Sequence, residues 1–207
     1  MMRVTGHYYQ FTKESLRLAL MINGVFQGFA GLKRRDICRR NGDFVIIAGQ
    51  SWPAKISRQR DNLIALIEKN GFSQTMEAVA YTWFNRFAAL RYMEIHDYLK
   101  HGYRVLSSRE GGLPEILNAA PELAQKRELP DLNPQQVIEL KLAGDQDGEL
   151  YRLTLIAQCN ALSSVMPFLF ERIDNETELL LPDNLLLTDS VIAKLVEAIR
   201  LGVRIPS

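Results

Sequence analysis

Residues 80–99, AYTWFNRFAALRYMEIHDYL, contain neither glycine nor proline and constrain the fold more than any other stretch of the chain. Val79, Trp83, Phe87, Leu90 and Tyr98 fall on one side of a helical wheel, flanked by Ala80, Phe84 and Arg91, with Ala88 nearby. An apolar surface this wide does not suit a helix with one wet face, so the segment is expected to be the central helix of a helical domain. Arg86 and Arg91 then have to pair or snorkel, and Glu94, three residues from Arg91, is the ready partner for an internal ion pair. Exposed rings among cations would instead make a stacking platform for single-stranded bases. The helical spacing of the rings favours a core over a platform.

The flanking sequence extends the helical pattern. Leu16, Ala19, Leu20 and Ile22 mark a helix over about 11–23, with Thr12 as N-cap and Gly24 as stop. The basic stretch that follows suggests a short helix ending at Asn41-Gly42. DFVIIAG (43–49) reads as a short buried strand. Pro53 sits in the first turn of a helix running to about Asn70-Gly71, with Ile56, Leu63, Ile64 and Ile67 as its stripe. Ser73 is the expected N-cap of the aromatic helix and His101-Gly102 its end, followed by a short extended piece, YRVLSS. Further helices are expected at about 135–143, 148–166 and 190–200, the last capped by Thr188-Asp189, with a turn at Pro182-Asp183-Asn184. The fold class is mainly α, an irregular helical domain with one or two short strands. Its parts are a basic N-terminal segment (1–52), a helical region (53–110), a Pro/Gly-rich connection (111–134) and a second helical region (135–207), together expected to form one compact domain.

The net charge of +1 hides an asymmetry. Residues 1–60 hold eleven cations against three anions, a net +8, while residues 171–199 hold two cations against seven anions, a net −5. Lys33, Arg34, Arg35, Arg39 and Arg40 form the densest basic cluster. On a helix, Arg35 and Arg39 would lie one turn apart beside Arg40, a face suited to successive phosphates of double-stranded DNA. A solvated face is the alternative reading.

Other chemistry finds little support. Cys38 and Cys159 have no metal-ligand spacing and read as reduced thiols. Gly24, Gly28 and Gly31 fit neither a dinucleotide-binding fingerprint nor a Walker loop and read as turn glycines. Asp97 and His101 are helical neighbours, but three histidines in the whole chain do not make a metal site, and His101 fits better as a cation at a helix C-terminus. No nucleophile elbow or Cys–His pair appears, and no catalytic residue is assigned. No leader-like segment opens the sequence and no apolar run reaches the roughly 18 residues of a bilayer span, which makes a cytoplasmic location without membrane contact the expectation.

Segment 80–99 followed by HGYRVLSS, then ELKLAGDQDGELYRLTLIAQCNALSSVMPFLFE and ELLLPDNLLLTDSVIAKLV, resembles in content and order the N-terminal region of the PglX family. These are the adenine-specific DNA methyltransferases of BREX phage-defence systems. The resemblance covers about residues 53–197. It implies a helical N-terminal region preceding a domain that binds S-adenosylmethionine, with other BREX components as partners and an adenine flipped out for modification. This chain lacks the family's Asn/Asp-Pro-Pro-Tyr/Phe motif, since Asn133-Pro134 is followed by Gln135, and FQGFAG does not match the cofactor loop. The expectation is therefore a fragment, or the product of an interrupted gene, that binds no cofactor and transfers no methyl group by itself. It would help to engage DNA or to assemble the catalytic domain; a docking module for other defence components is the alternative.

Overall fold

The computed structural model describes residues 39–41, 44–47, 50–173, 178, 180–181 and 184–202. Three short strands, β1 (Arg39–Asn41), β2 (Phe44–Ile47) and β3 (Gln50–Pro53), are followed by six helices. These are α1 (Ala54–Asn70), α2 (Phe72–Ile95), α3 (Glu115–Gln125), α4 (Pro134–Ala143), α5 (Asp147–Ser163) and α6 (Val191–Gly202). The mainly α expectation holds. The helix expected at 11–23 lies outside the described residues. The chain divides into two compact units, with the boundary inside α2 between Tyr81 and Thr82; residues 174–182 belong with the first unit.

In the first unit the strands form an antiparallel meander in the order β1-β2-β3. Asn41 pairs with Phe44 and Ile47 with Gln50, so only two residues separate each pair of strands. The β-branched run of 43–49 supplies β2, and its neighbours are strands that the sequence reading missed. Residues 39–41, expected to end a helix, are paired strand instead. Pro53 closes β3 rather than entering α1, which suits a residue that cannot donate to a ladder. The helix α1 packs on β2 and β3 and buries Leu63 and Gln59. The Gln59 amide donates to Glu178 Oε2 at 2.8 Å, which ties Glu178 into this unit.

Gly71 alone separates α1 from α2. Its φ of +81° is a left-handed conformation that costs glycine little. Its N–H closes α1 on the Ile67 carbonyl, and its own carbonyl accepts from Thr75 N at 3.1 Å and Thr75 Oγ1 at 2.9 Å. Helix α2 therefore starts at Phe72, and Ser73 is inside the helix rather than its N-cap.

The second unit gathers the rest of α2 with α3 to α6. Helices α3, α4 and α5 pack on one another in all three pairings. The stretch 111–134, expected to be an irregular connection, contains α3, and six of that helix's eleven residues are buried. Pro121 lies inside α3, removing only one amide from a helix that buries Ile116, Leu117, Ala119, Ala120, Leu123 and Ala124. Burial of this apolar face outweighs the broken bond. Asn133 caps α4, accepting from Gln135 N and Gln136 N, with Pro134 at the first helical position and Gly144 left-handed at the end. The Asn-Pro pair is thus a helix start. Helix α6 is capped by Ser190, whose Oγ accepts from Ala193 N, and not by Thr188-Asp189.

Helix α2 ends at Ile95, six residues before the expected His101. Asp97 takes a left-handed φ of +52°, and Tyr98 N donates to Met93 O at 2.9 Å, the long-range bond of a Schellman motif. Arg127 ends α3 in the same way, with φ +54° and a bond from Glu128 N to Leu123 O. Neither cap uses glycine, so the usual stop signal is absent at both.

Candidate functional site

The last three turns of α2 carry two buried arginines with different surroundings. Arg91 Nη1 lies 2.6 Å from Glu94 Oε1 and also donates to Ser107 Oγ at 2.9 Å. Ser107 Oγ donates to Glu94 Oε1, and Leu106 N donates to Glu94 Oε2 at 2.8 Å. Helical spacing makes the Arg91–Glu94 contact possible. The turn at 104–107 brings up the other donors, so both carboxylate oxygens are used. The carboxylate is fully used, which makes its buried charge tolerable, while Arg91 Nε finds no hydrogen-bond partner. Tyr151, wholly buried on α5, donates to the Val105 carbonyl at 3.0 Å and holds the same turn from the other side. Burial first, then the nearby Glu94 and Cys159, raises the Tyr151 pKa well above the phenol range.

Arg86 is as buried as Arg91 but has no carboxylate on it. Its Nη2 donates to the Glu171 carbonyl at 2.8 Å and its guanidinium lies 5.2 Å from the Trp83 ring centroid. Nε and Nη1 find no hydrogen-bond partner. Burial lowers the Arg86 pKa, against the raising effects of Cys159 and Glu171. Cys159 itself is pushed up to about 12 by burial, with Arg86 opposing, which describes an inert core thiol.

The turn after α2 is pinned a second time at the surface. Glu115, at the start of α3, accepts from Arg104 N at 3.0 Å and Arg109 N at 2.8 Å, and Arg109 Nη1 lies 2.7 Å from its Oε2. Burial works to raise the Glu115 pKa, but these two N–H donors and the Arg109 charge outweigh it and leave it lowered. Arg109 Nη2 also reaches Asp97 Oδ1 at 2.6 Å. His101 lies beyond the end of α2 rather than on it: its Nδ1 accepts from Tyr103 N at 3.1 Å, and its Nε2 lies 2.9 Å from Gln158 Oε1. Among the described residues no three His, Cys, Asp or Glu side chains come together to hold a metal.

The aromatic residues of α2 divide. Trp83 and Phe87 are buried, with ring centroids 5.5 Å apart, and form the expected core. Tyr98 does not continue the stripe, because the helix has already ended; it is 62% exposed. With Tyr92 and His96, both exposed, it forms a surface group of three rings whose centroids lie 4.3, 5.6 and 6.0 Å apart. The sequence reading missed this group, although Tyr92 and His96 are one helical turn apart.

Of the expected basic cluster, Lys33, Arg34 and Arg35 lie outside the described residues. Arg39 and Arg40 stand on β1, registered with Ile46 and Val45. A strand has no i,i+4 face, so Arg39 and Arg40 do not lie on a helix. Among the described residues no helix is long and apolar enough to cross a membrane.

No family model matches the chain. It is 46% identical over 159 residues to adenine-specific methyltransferase BrxX of Escherichia coli O9:H4 (strain HS), covering 76% of this chain. It is 32% identical over 164 residues to adenine-specific methyltransferase PglX of Lacticaseibacillus casei (strain Zhang), covering 73% of this chain. These matches span 13% and 14% of the two relatives' own lengths. The chain belongs to the PglX family and corresponds to a small part of those proteins.

Proposed function

We propose that this chain is a non-catalytic helical region of a BREX-type adenine-specific DNA methyltransferase that helps to engage DNA. The observation that carries the proposal is the 46% identity over 159 residues to a protein named as an adenine-specific methyltransferase. The net +8 of residues 1–60 supports the DNA contact, since cations that neutralise phosphates release counterions. In this reading S-adenosylmethionine chemistry belongs to the whole methyltransferase, and this chain alone transfers no methyl group. The role of Arg91, Glu94 and Ser107 is to fix the turn at 104–107 against α2.

The test is a salt titration of duplex DNA binding by the wild type and by a variant with Lys33, Arg34, Arg35, Arg39 and Arg40 changed to Gln. The variant should bind more weakly, with a salt slope reduced by about one for each phosphate that is no longer neutralised. Equal affinities and equal slopes would contradict the proposal.

A second reading, docking to other defence components or to a methyltransferase domain, is favoured by the turn after α5. There Val165 is 70% and Phe168 85% exposed, while Phe170 is fully buried. Co-purification that disappears on Phe168→Ser, together with no affinity for DNA, would favour docking.

A further inference from the structure

The rings of Tyr92, His96 and Tyr98 are not needed to fill the core, which already buries Trp83, Phe87, Tyr151 and Phe170. They are nonetheless held together. His96 and Tyr98 stack at 27° between planes, and Tyr92 sits against both. Tyr98 reaches this place because Asp97 turns left-handed, a conformation that Asp tolerates better than most residues. The Schellman bond from Tyr98 N to Met93 O and the ion pair from Asp97 to Arg109 fix that turn. Arg109 is itself fixed, with contacts to Glu115 Oε2 and the Gly102 carbonyl. The result is a group of three exposed rings, with Arg109 bound to the intervening Asp97 and exposed Lys100 two residues beyond Tyr98.

We infer that this surface is a stacking site for an unpaired base of DNA, in addition to any contact with duplex phosphates. The inference rests on the proposed DNA engagement and names the feature of DNA that these rings would take. Two observations favour a base over the backbone. The rings offer π-faces and edges on which a planar base can stack. The neighbouring charge is nearly balanced, because Arg109 is paired with both Asp97 and Glu115, so the patch offers little for neutralising phosphates. An enzyme that modifies adenine takes its target out of the stack, which leaves unpaired bases for such a surface to hold.

The test uses the whole chain and a single-stranded oligonucleotide carrying 2-aminopurine, whose fluorescence is quenched by stacking. The wild type should bind it with quenching. Tyr92→Ala/Tyr98→Ala should weaken binding at least about tenfold, abolish the quenching and leave the salt slope unchanged. Tyr92→Phe/Tyr98→Phe keeps the ring faces and should behave like the wild type. Unchanged single-strand binding in the Ala variant would overturn the stacking site, as would an equal loss on an abasic strand. If duplex binding persists with its slope set by the basic cluster in either case, the proposed DNA engagement survives. If the chain binds neither duplex nor single strand, both ideas fail together.

Discussion

The two ends of segment 80–99 use the same residue types for opposite purposes. At its N-terminal end, Trp83 and Phe87 are buried to 0% and 1% exposure beside Arg86. At its C-terminal end, Tyr92 and Tyr98 stand 56% and 62% exposed around His96. The difference has two causes: Tyr92 lies on the outward face of α2, and Tyr98 lies beyond the end of the helix. While the backbone stays helical, residues three and four apart share the inward face. Once Asp97 turns left-handed, Tyr98 leaves that face and joins the outward group. Aromatic content therefore says little about burial unless the helix end is known.

The largest expected contrast is chemical. With a thiol pKa pushed up to about 12, Cys159 should react with a thiol reagent at pH 8 on the order of a thousandfold more slowly in the folded chain than when denatured. A Cys38→Ser background isolates the signal, and equal rates would show that α5 does not bury the thiol. Next comes Glu94. Its removal strands Arg91, the Ser107 hydroxyl and the Leu106 amide, so Glu94→Ala should destabilise the chain by about 3–5 kcal/mol in denaturant titration. A change under about 1 kcal/mol would mean that water reaches the pair.

A smaller effect belongs to Glu115. Its folded-state pKa is lowered, so its contribution is present above the unfolded-chain value and is lost as pH falls through the folded value. Amide exchange of Arg104 and Arg109, corrected for the intrinsic pH dependence, should accelerate below the ordinary carboxylate range. Glu115→Gln should remove that dependence. A wild-type profile that stays flat would show that the carboxylate does not hold the turn.

Legibility followed the range of the forces involved. Helical periodicity revealed α1, α2, α4, α5 and α6, and the i,i+3 spacing pointed to Arg91 and Glu94, because both depend on neighbours in sequence. The end of α2 was misplaced because Asp97 takes the position usually left to glycine. Helix α3 was hidden by Pro121 and the flanking glycines, since its stability comes from a buried face that only the folded chain supplies. β1 and β3 were missed because short strands need partners more than propensity. Ser107 and Glu115 join their clusters through turns of the chain, so no local pattern marks them. The candidate basic site was legible as charge, whereas its geometry was not. The strand at Arg39–Asn41 replaces the helix on which that site was imagined.

The most direct measurement of the central claim, that α2 anchors the fold with Trp83 and leaves its final rings free, is paired denaturant unfolding of Trp83→Ala and Tyr92→Ala/Tyr98→Ala. Trp83→Ala should lower stability by about 3–5 kcal/mol, as large-to-small changes at a filled core do. The tyrosine pair should stay within about 0.5 kcal/mol of wild type, as surface substitutions do. Comparable destabilisation in the two variants would contradict the account.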